Sequence, residues 1–105
     1  MEKYAWRGRI ADGQVEEYRR RHDAIWSEMK AVLKEAGICN YTIWLSGQEL
    51  FGYYECAQGA AYAAKVQRES PVVQRWDAYM KDILIMEKDP VTGAQPQLTK
   101  VFELD

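Results

Sequence analysis

The stretch from Asp12 to Gly37 contains the side chains best suited to proton transfer. Tyr18, His22 and Trp26 are spaced four residues apart, so in a helix they return to nearly the same face, with a drift of about 40° per step. His22 is the only histidine in the chain, and imidazole is the side chain whose ordinary pKa lies near neutrality. The spacing therefore predicts a helical stripe that carries a proton-transfer group. The alternative is a structural histidine at the edge of the core, with its ring nitrogens satisfied by backbone or water.

The length and composition indicate one small domain over residues 1–105, with a single core. A net charge of −2 argues against a nucleic-acid interface, which needs an excess of basic residues. No apolar run approaches the roughly 18 residues that span a bilayer. The first residues also lack the apolar segment of a secretion signal. We therefore expect a cytoplasmic protein that binds neither nucleic acid nor a membrane.

The two cysteines, Cys39 and Cys56, do not have the spacing of a metal site. Together with one histidine they make a poor ligand set, so we expect no metal. They lie symmetrically about a predicted turn at Gly47-Gln48, which would bring them nearly opposite each other. In a reducing cytosol we expect two buried thiols and no disulfide.

Hydrophobic periodicity predicts the element order β-α-β-β-α-β, with the second helix in two pieces. Asp12 and Ser70 are the expected N-caps, Pro71 the first residue of its helix, and Gly37 the C-terminal signal of the first helix. The predicted strands cover 3–10, 39–45, 50–56 and 98–104, the helices cover 12–36, 58–69 and 70–86, and a loop covers 88–97.

This order is that of the ferredoxin-like split β-α-β fold, an α+β fold with a four-stranded antiparallel sheet. The second strand carries bulky residues on both faces, whereas a sheet with one wet face alternates more cleanly. One side has Tyr41, Ile43 and Leu45, and the other has Thr42 and Trp44. We expect helices on one face, and a pocket or the second subunit of a homodimeric α+β barrel on the other.

Several segments resemble L-rhamnose mutarotases, in the order in which that family has them. The most specific is the motif Tyr-x3-His-x3-Trp followed by Glu, which contains His22 and favours its functional interpretation. Together the segments cover nearly the whole chain. They are EYRRRHDAIWSEM (17–29), NYTIWL (40–45), LFG (50–52), QRW with YM (74–76 and 79–80) and VFEL (101–104).

The resemblance implies a small homodimeric isomerase that interconverts the α and β anomers of L-rhamnose without a cofactor. It implies that His22 is the proton donor and that Tyr18, Tyr41 and Trp76 contact the sugar. Ring opening needs one proton delivered to the ring oxygen and one removed from the anomeric hydroxyl, which suits a neutral-range acid/base group. Trp76 lies on the apolar line of its helix and Tyr41 on a buried strand, so either could instead belong to the core.

The chain departs from the family pattern in two places. Asp77 stands where members tend to carry a second aromatic residue, and residues 87–94 replace a loop rich in Asn, Pro and Asp. In a sugar pocket, Asp77 would accept a hydrogen bond from a hydroxyl in place of stacking, or it could face solvent. We therefore expect L-rhamnose or a closely related aldose as substrate.

Two other functions fit the same fold class. One is a cofactor-independent monooxygenase or isomerase that uses a lone histidine in an aromatic pocket, and the other is a non-catalytic small-molecule-binding module. Neither explains the motif around His22. The sequence leaves open which group exchanges protons with His22: water or one of the nearby acids, Asp23, Asp77 and Asp82.

Overall fold

The computed structural model describes residues 1–86 and 95–104. The strands form one antiparallel sheet in the order β2-β3-β1-β4, which confirms the predicted α+β class and four-stranded sheet. The elements are β1 (Glu2–Ile10), α1 (Val15–Asp23), α2 (Ser27–Glu35), β2 (Ile38–Ser46), β3 (Glu49–Cys56), α3 (Ala60–Glu69), α4 (Pro71–Met80) and β4 (Leu84–Ile85).

One face of the sheet packs against the helices and forms the core. Along β1, residues Tyr4, Trp6 and Ile10 are buried, in the two-residue alternation of a strand with one covered face. Their cluster includes residues from every helix, such as Tyr18, Met29, Ala63 and Met80. Among the described residues, the opposite face is exposed along β2, where Trp44 is 67% exposed, and Glu103 near the C-terminus pairs with Lys3 on the same face of β1.

A β-bulge in β2 sets which residues of that strand face the helices. Between the pairs Cys39↔Glu55 and Thr42↔Tyr53, two residues of β2 lie opposite one residue of β3, and Asn40 has a positive φ of 50°. The extra residue reverses the alternation. As a result Ile38, before the bulge, and Tyr41, after it, both lie on the inner face.

The first helix is not continuous, which corrects the prediction of one helix over 12–36. The chain becomes extended at Trp26 (φ −61°, ψ 138°), so α1 ends at Asp23 and Trp26 is the N-cap of α2. The extended backbone accompanies packing of the Trp26 ring against α4, and this tertiary contact overrides the helical period. The N-cap of α1 is Gln14, not Asp12. Gly37 follows α2 with a φ of 77°, as the C-terminal glycine signal predicts.

The second helical region is in two pieces, as predicted, but both its ends differ from the prediction. Helix α3 begins at Ala60 because Gly59 has a φ of 90°. Ser70 caps α4 through its hydroxyl, which accepts a hydrogen bond from the Val73 N–H, and Pro71 follows it. Helix α4 ends at Met80, so the predicted extension to residue 86 is wrong.

The fourth strand lies at Leu84–Ile85, not at 98–104 as predicted. A turn after Met80 brings the chain back to the sheet, where the Ile83 carbonyl accepts a hydrogen bond from the Ala11 N–H at 2.9 Å. Residues 98–104 carry the alternating pattern of a strand, but their only backbone bond to β1 that the structure records runs from Leu98 N–H to the Ala5 carbonyl. The predicted loop at 88–97 falls mostly outside the described residues.

The two cysteines lie on opposite faces of the β2–β3 hairpin. Cys56 pairs with Ile38, and Cys39 pairs with Glu55, so the two side chains point in opposite directions. Both thiols are free. In the part of the chain that the structure describes, no helix has the length and apolar character needed to cross a membrane.

The hairpin offers a matched pair of leucines for testing how far the helices cover the inner face of the sheet. Leu45 and Leu50 are register partners, yet Leu50 is 1% exposed and Leu45 is 42% exposed. We expect Leu50→Ala to lower the free energy of unfolding by about 2–5 kcal/mol. Leu45→Ala should cost less than half as much, because much of its surface is already in water. Chemical denaturation measures both, and equal losses would contradict this packing.

Candidate active site

A cavity of about 810 Å³ lies between the helices and the inner face of the sheet. Helix α1 contributes Tyr18 and His22, strand β2 contributes Tyr41, and helix α4 contributes Trp76 and Asp77. All of the predicted site residues therefore line one cavity, although they come from three separate elements. A smaller cavity of about 340 Å³ also borders His22 and contains Asp23 in its wall.

His22 is partly buried between two aromatic rings. The Tyr18 ring stacks on it at a centroid distance of 4.2 Å, and the Trp76 ring meets it edge-on at 5.5 Å. Its Nδ1 lies 3.2 Å from the Tyr18 carbonyl oxygen. Because a carbonyl only accepts hydrogen bonds, the neutral imidazole carries its proton on Nδ1 and keeps a lone pair on Nε2. His22 therefore presents a base at Nε2.

Trp76 belongs to the core and to the cavity at once. It is 7% exposed, yet it forms part of the cavity wall. Trp26 packs edge-on against it at 5.1 Å and stacks on Tyr79 at 5.4 Å. Trp76 is therefore a core residue that also reaches the cavity surface, and its contact with a sugar stays a prediction.

Arg21 joins α1 to the end of α4, a role that the sequence analysis did not identify. Its guanidinium donates to Glu17 Oε2 at 2.7 Å, to the Tyr79 carbonyl at 2.6 Å and to Asp82 Oδ1 at 3.0 Å. It also lies 4.4 Å from the centre of the Tyr79 ring. The only signal in the sequence is the four-residue spacing from Glu17 to Arg21, and Arg20 also pairs with Glu17.

Tyr41 projects into the cavity from just beyond the bulge. Its hydroxyl accepts a hydrogen bond of 3.1 Å from the Trp6 indole N–H, and its ring lies 4.9 Å from that of Tyr54. Burial raises the pKa of Tyr41 and of Tyr18 well above the usual tyrosine range. Both hydroxyls are therefore neutral at physiological pH and can donate a proton in a hydrogen bond.

The rest of the cavity wall is mostly apolar, with charged and amide groups among it. Asp77 is partly buried. The apolar members include Ile25, Met29, Leu33, Ile43, Val73 and Met80, and the polar ones include Lys30, Gln67, Gln74, Asp77 and Lys81. Over residues 1–86 and 95–104, no group of three or more His, Cys, Asp or Glu side chains is arranged to hold a metal ion.

The packing around His22 lowers the pKa of its ring below the ordinary value. Burial lowers the pKa below the ordinary 6.5, and the Tyr18 carbonyl and Asp23 offset this only in part. His22 therefore contributes to stability above pH 6.5, and this contribution is lost as the pH falls through the lowered pKa.

As the chain has one histidine, its C2 proton gives one signal that proton NMR can titrate. We expect a midpoint below 6.5 in the native protein, and a return toward 6.5 in Trp76→Ala and in denaturant. A native midpoint at or above 6.5 would contradict this account of the site.

Comparison with known proteins gives matches to L-rhamnose mutarotases in both sequence and structure. The family model described as L-rhamnose mutarotase matches residues 3–104. The chain is 45% identical to an L-rhamnose mutarotase of Sinorhizobium fredii and 40% identical to one of Acidiphilium cryptum, with 99% of each chain covered. A crystal structure of an L-rhamnose mutarotase from Formosa agariphila superposes with a TM-score of 0.79 at 26% identity, over 100% of both chains. The chain therefore belongs to the L-rhamnose mutarotase family.

Proposed function

We propose that His22 carries out the interconversion of the α and β anomers of L-rhamnose in the large cavity. As a member of its family the protein is an isomerase. The observation that carries the proposal is the imidazole of His22, which is neutral and has Nε2 unprotonated. It lies in a cavity whose wall also contains the neutral hydroxyls of Tyr18 and Tyr41 and the indole of Trp76.

The reaction can proceed with one proton shuttled by His22. Nε2 takes the proton of the anomeric hydroxyl while the bond from C1 to the ring oxygen breaks and its electron pair goes to the ring oxygen. The resulting imidazolium then gives that proton to the ring oxygen, which leaves the open-chain aldehyde. After rotation about C1–C2, the same steps in reverse close the ring on the other face. Both oxygens are bonded to C1, so one imidazole can serve both.

The nearby acids differ in how well they could assist. Asp82 is held by the Arg21 guanidinium, which keeps the pKa of that carboxyl below its ordinary value. Asp23 borders the smaller cavity beside His22, and Asp77 borders the large one. A shuttle through His22 requires none of them and needs neither a metal nor a cofactor.

The remaining site residues supply binding contacts in this proposal. The hydroxyls of Tyr18 and Tyr41 donate to sugar oxygens, and the Trp76 ring covers part of the C–H surface of the sugar. Asp77 accepts a hydrogen bond from a sugar hydroxyl. The apolar wall formed by residues such as Met80 and Val73 suits the 6-methyl group of a deoxyhexose.

Saturation-transfer proton NMR on L-rhamnose at equilibrium tests this mechanism. Wild type should transfer saturation between the two anomeric protons, and His22→Ala should reduce the enzymatic rate by about 100-fold or more, as expected on loss of an acid/base group. Arg20→Ala is the matched control, because Arg20 is on the same helix but is exposed. Transfer that survives in His22→Ala would overturn the role of His22.

The same measurement on L-mannose tests which sugar is the substrate, because L-mannose differs from L-rhamnose by a hydroxyl on C6. An apolar wall disfavours that hydroxyl only modestly, so we expect a rate about 10- to 100-fold lower. Faster transfer with L-mannose would assign a different aldose. If no sugar shows transfer, oxygen uptake with an electron-rich aromatic substrate would identify the monooxygenase alternative.

We also propose that residues 1–105 form one ferredoxin-like domain that pairs into a homodimeric α+β barrel in the cytoplasm. The strand order β2-β3-β1-β4 supports the fold. The open sheet face supports the dimer, since Trp44 and Phe51 are cross-strand partners with exposed rings. Two free thiols are in keeping with a reducing compartment. Nucleic acid and membranes are not among the proposed partners.

Sedimentation velocity tests the assembly. Wild type should sediment with twice the mass of one chain, and Trp44→Glu should shift it toward the monomer, because a carboxylate on this face would have to be desolvated. Ala61→Glu adds the same charge on an exposed position of α3 and should leave the mass unchanged. A monomeric wild type would contradict the dimer.

A further inference from the structure

We propose that Trp6 is a positioning residue, which orients the Tyr41 hydroxyl as a hydrogen-bond donor toward the bound sugar. In the same proposal, Gly52 is a glycine because the Trp6 ring occupies the space of a side chain there. The inference rests on the proposed function, since it takes Tyr41 to contact the substrate.

The place of the Trp6 ring is set by its register partner across the sheet. Trp6 on β1 pairs with Gly52 on β3, and Gly52 in turn pairs with Ile43 on β2. A Cβ atom on Gly52 would lie 2.0–2.4 Å from Cε2, Nε1 and Cζ2 of the Trp6 indole, closer than atoms pack in proteins. The ring therefore lies across the backbone of β3, with its N–H edge directed toward β2.

The hydrogen bond between the two rings has a fixed direction. An indole N–H can only donate, so Tyr41 Oη is the acceptor at 3.1 Å. A phenol has one proton of its own, and among the described residues the structure records no acceptor for it. Burial keeps that proton on the oxygen by raising the pKa of Tyr41.

The Tyr41 proton is thereby left for a ligand in the cavity. Both Trp6 and Tyr41 line that cavity, and accepting one hydrogen bond strengthens the one that a hydroxyl donates. The group that Tyr41 recognises must be an acceptor, such as a hydroxyl or ring oxygen of the sugar. Without the Trp6 N–H, the Tyr41 hydroxyl could rotate and lose this preference.

A double-mutant cycle separates positioning from simple packing. Trp6→Phe removes the N–H and Tyr41→Phe removes the hydroxyl. We expect each to raise the KM for L-rhamnose by about three- to tenfold, the value of one neutral hydrogen bond, with a smaller change in kcat. If Trp6 acts through Tyr41, the double variant should have the KM of Tyr41→Phe alone. Effects that multiply in the double variant would overturn the proposal.

A second measurement does not depend on activity. The indole N–H signal of Trp6 is assigned by its loss in the ¹H–¹⁵N spectrum of Trp6→Phe. In Tyr41→Phe it should move more than the indole signal of Trp44, which is on the opposite face of the sheet. An unmoved Trp6 signal would show that the hydrogen bond is absent and would overturn the inference.

If Trp6→Phe does not fold, replacing Trp6 by 3-benzothienyl-alanine keeps the shape of the indole and removes only the N–H. The same double-mutant cycle is then measured with this variant in place of Trp6→Phe.

Failure of the proposed function would give a different result from failure of this inference. Wild type would then show no anomer exchange, while the Trp6 indole signal would still move in Tyr41→Phe.

Discussion

The contact between Trp76 and the bend of the first helical region is the interaction on which the site depends. His22 at the end of α1 and Trp26 at the start of α2 both meet the Trp76 ring edge-on. The extended backbone at Trp26 separates the two helices at this point. The same contact helps bury His22, and burial lowers the pKa of its imidazole. A change in how the helices pack is therefore also a change in acid/base chemistry.

Arg21 shows how the helices are held together at this point. Its side chain is 11% exposed, and it bonds to α1 through Glu17 and to the end of α4 through the Tyr79 carbonyl. Arg20, which is adjacent in sequence, pairs with Glu17 alone among the ion pairs described. The two neighbouring arginines differ in burial, since the Arg20 side chain is 63% exposed although it also reaches the Tyr79 side chain on α4.

Patterns local in sequence predicted a large part of this structure. Alternation of apolar and polar residues predicted three of the strands, and Ser70-Pro71 predicted the start of α4. The four-residue spacing predicted that Tyr18 lies beside His22, one helical turn away. The break at Trp26 and the short β4 strand depend on contacts between distant segments, so periodicity gave one long helix and a strand at 98–104. The Trp6–Gly52 packing was missed for the same reason, because it arises from pairing between strands that are 46 positions apart.

The bulge at Asn40 makes the cavity sensitive to the length of β2. Ile38 faces the helices before the bulge, and Tyr41 and Ile43 face them after it. The strand pairs on both sides of the bulge fix the register, so deleting Asn40 alone would restore plain alternation and leave Ile38 and Tyr41 on the inner face. Deleting Thr42 instead would place Tyr41 opposite Tyr53, on the outer face, and would remove its ring from the cavity wall. The strand thus tolerates the loss of its extra residue, but the loss of the next-but-one residue would rebuild both of its surfaces.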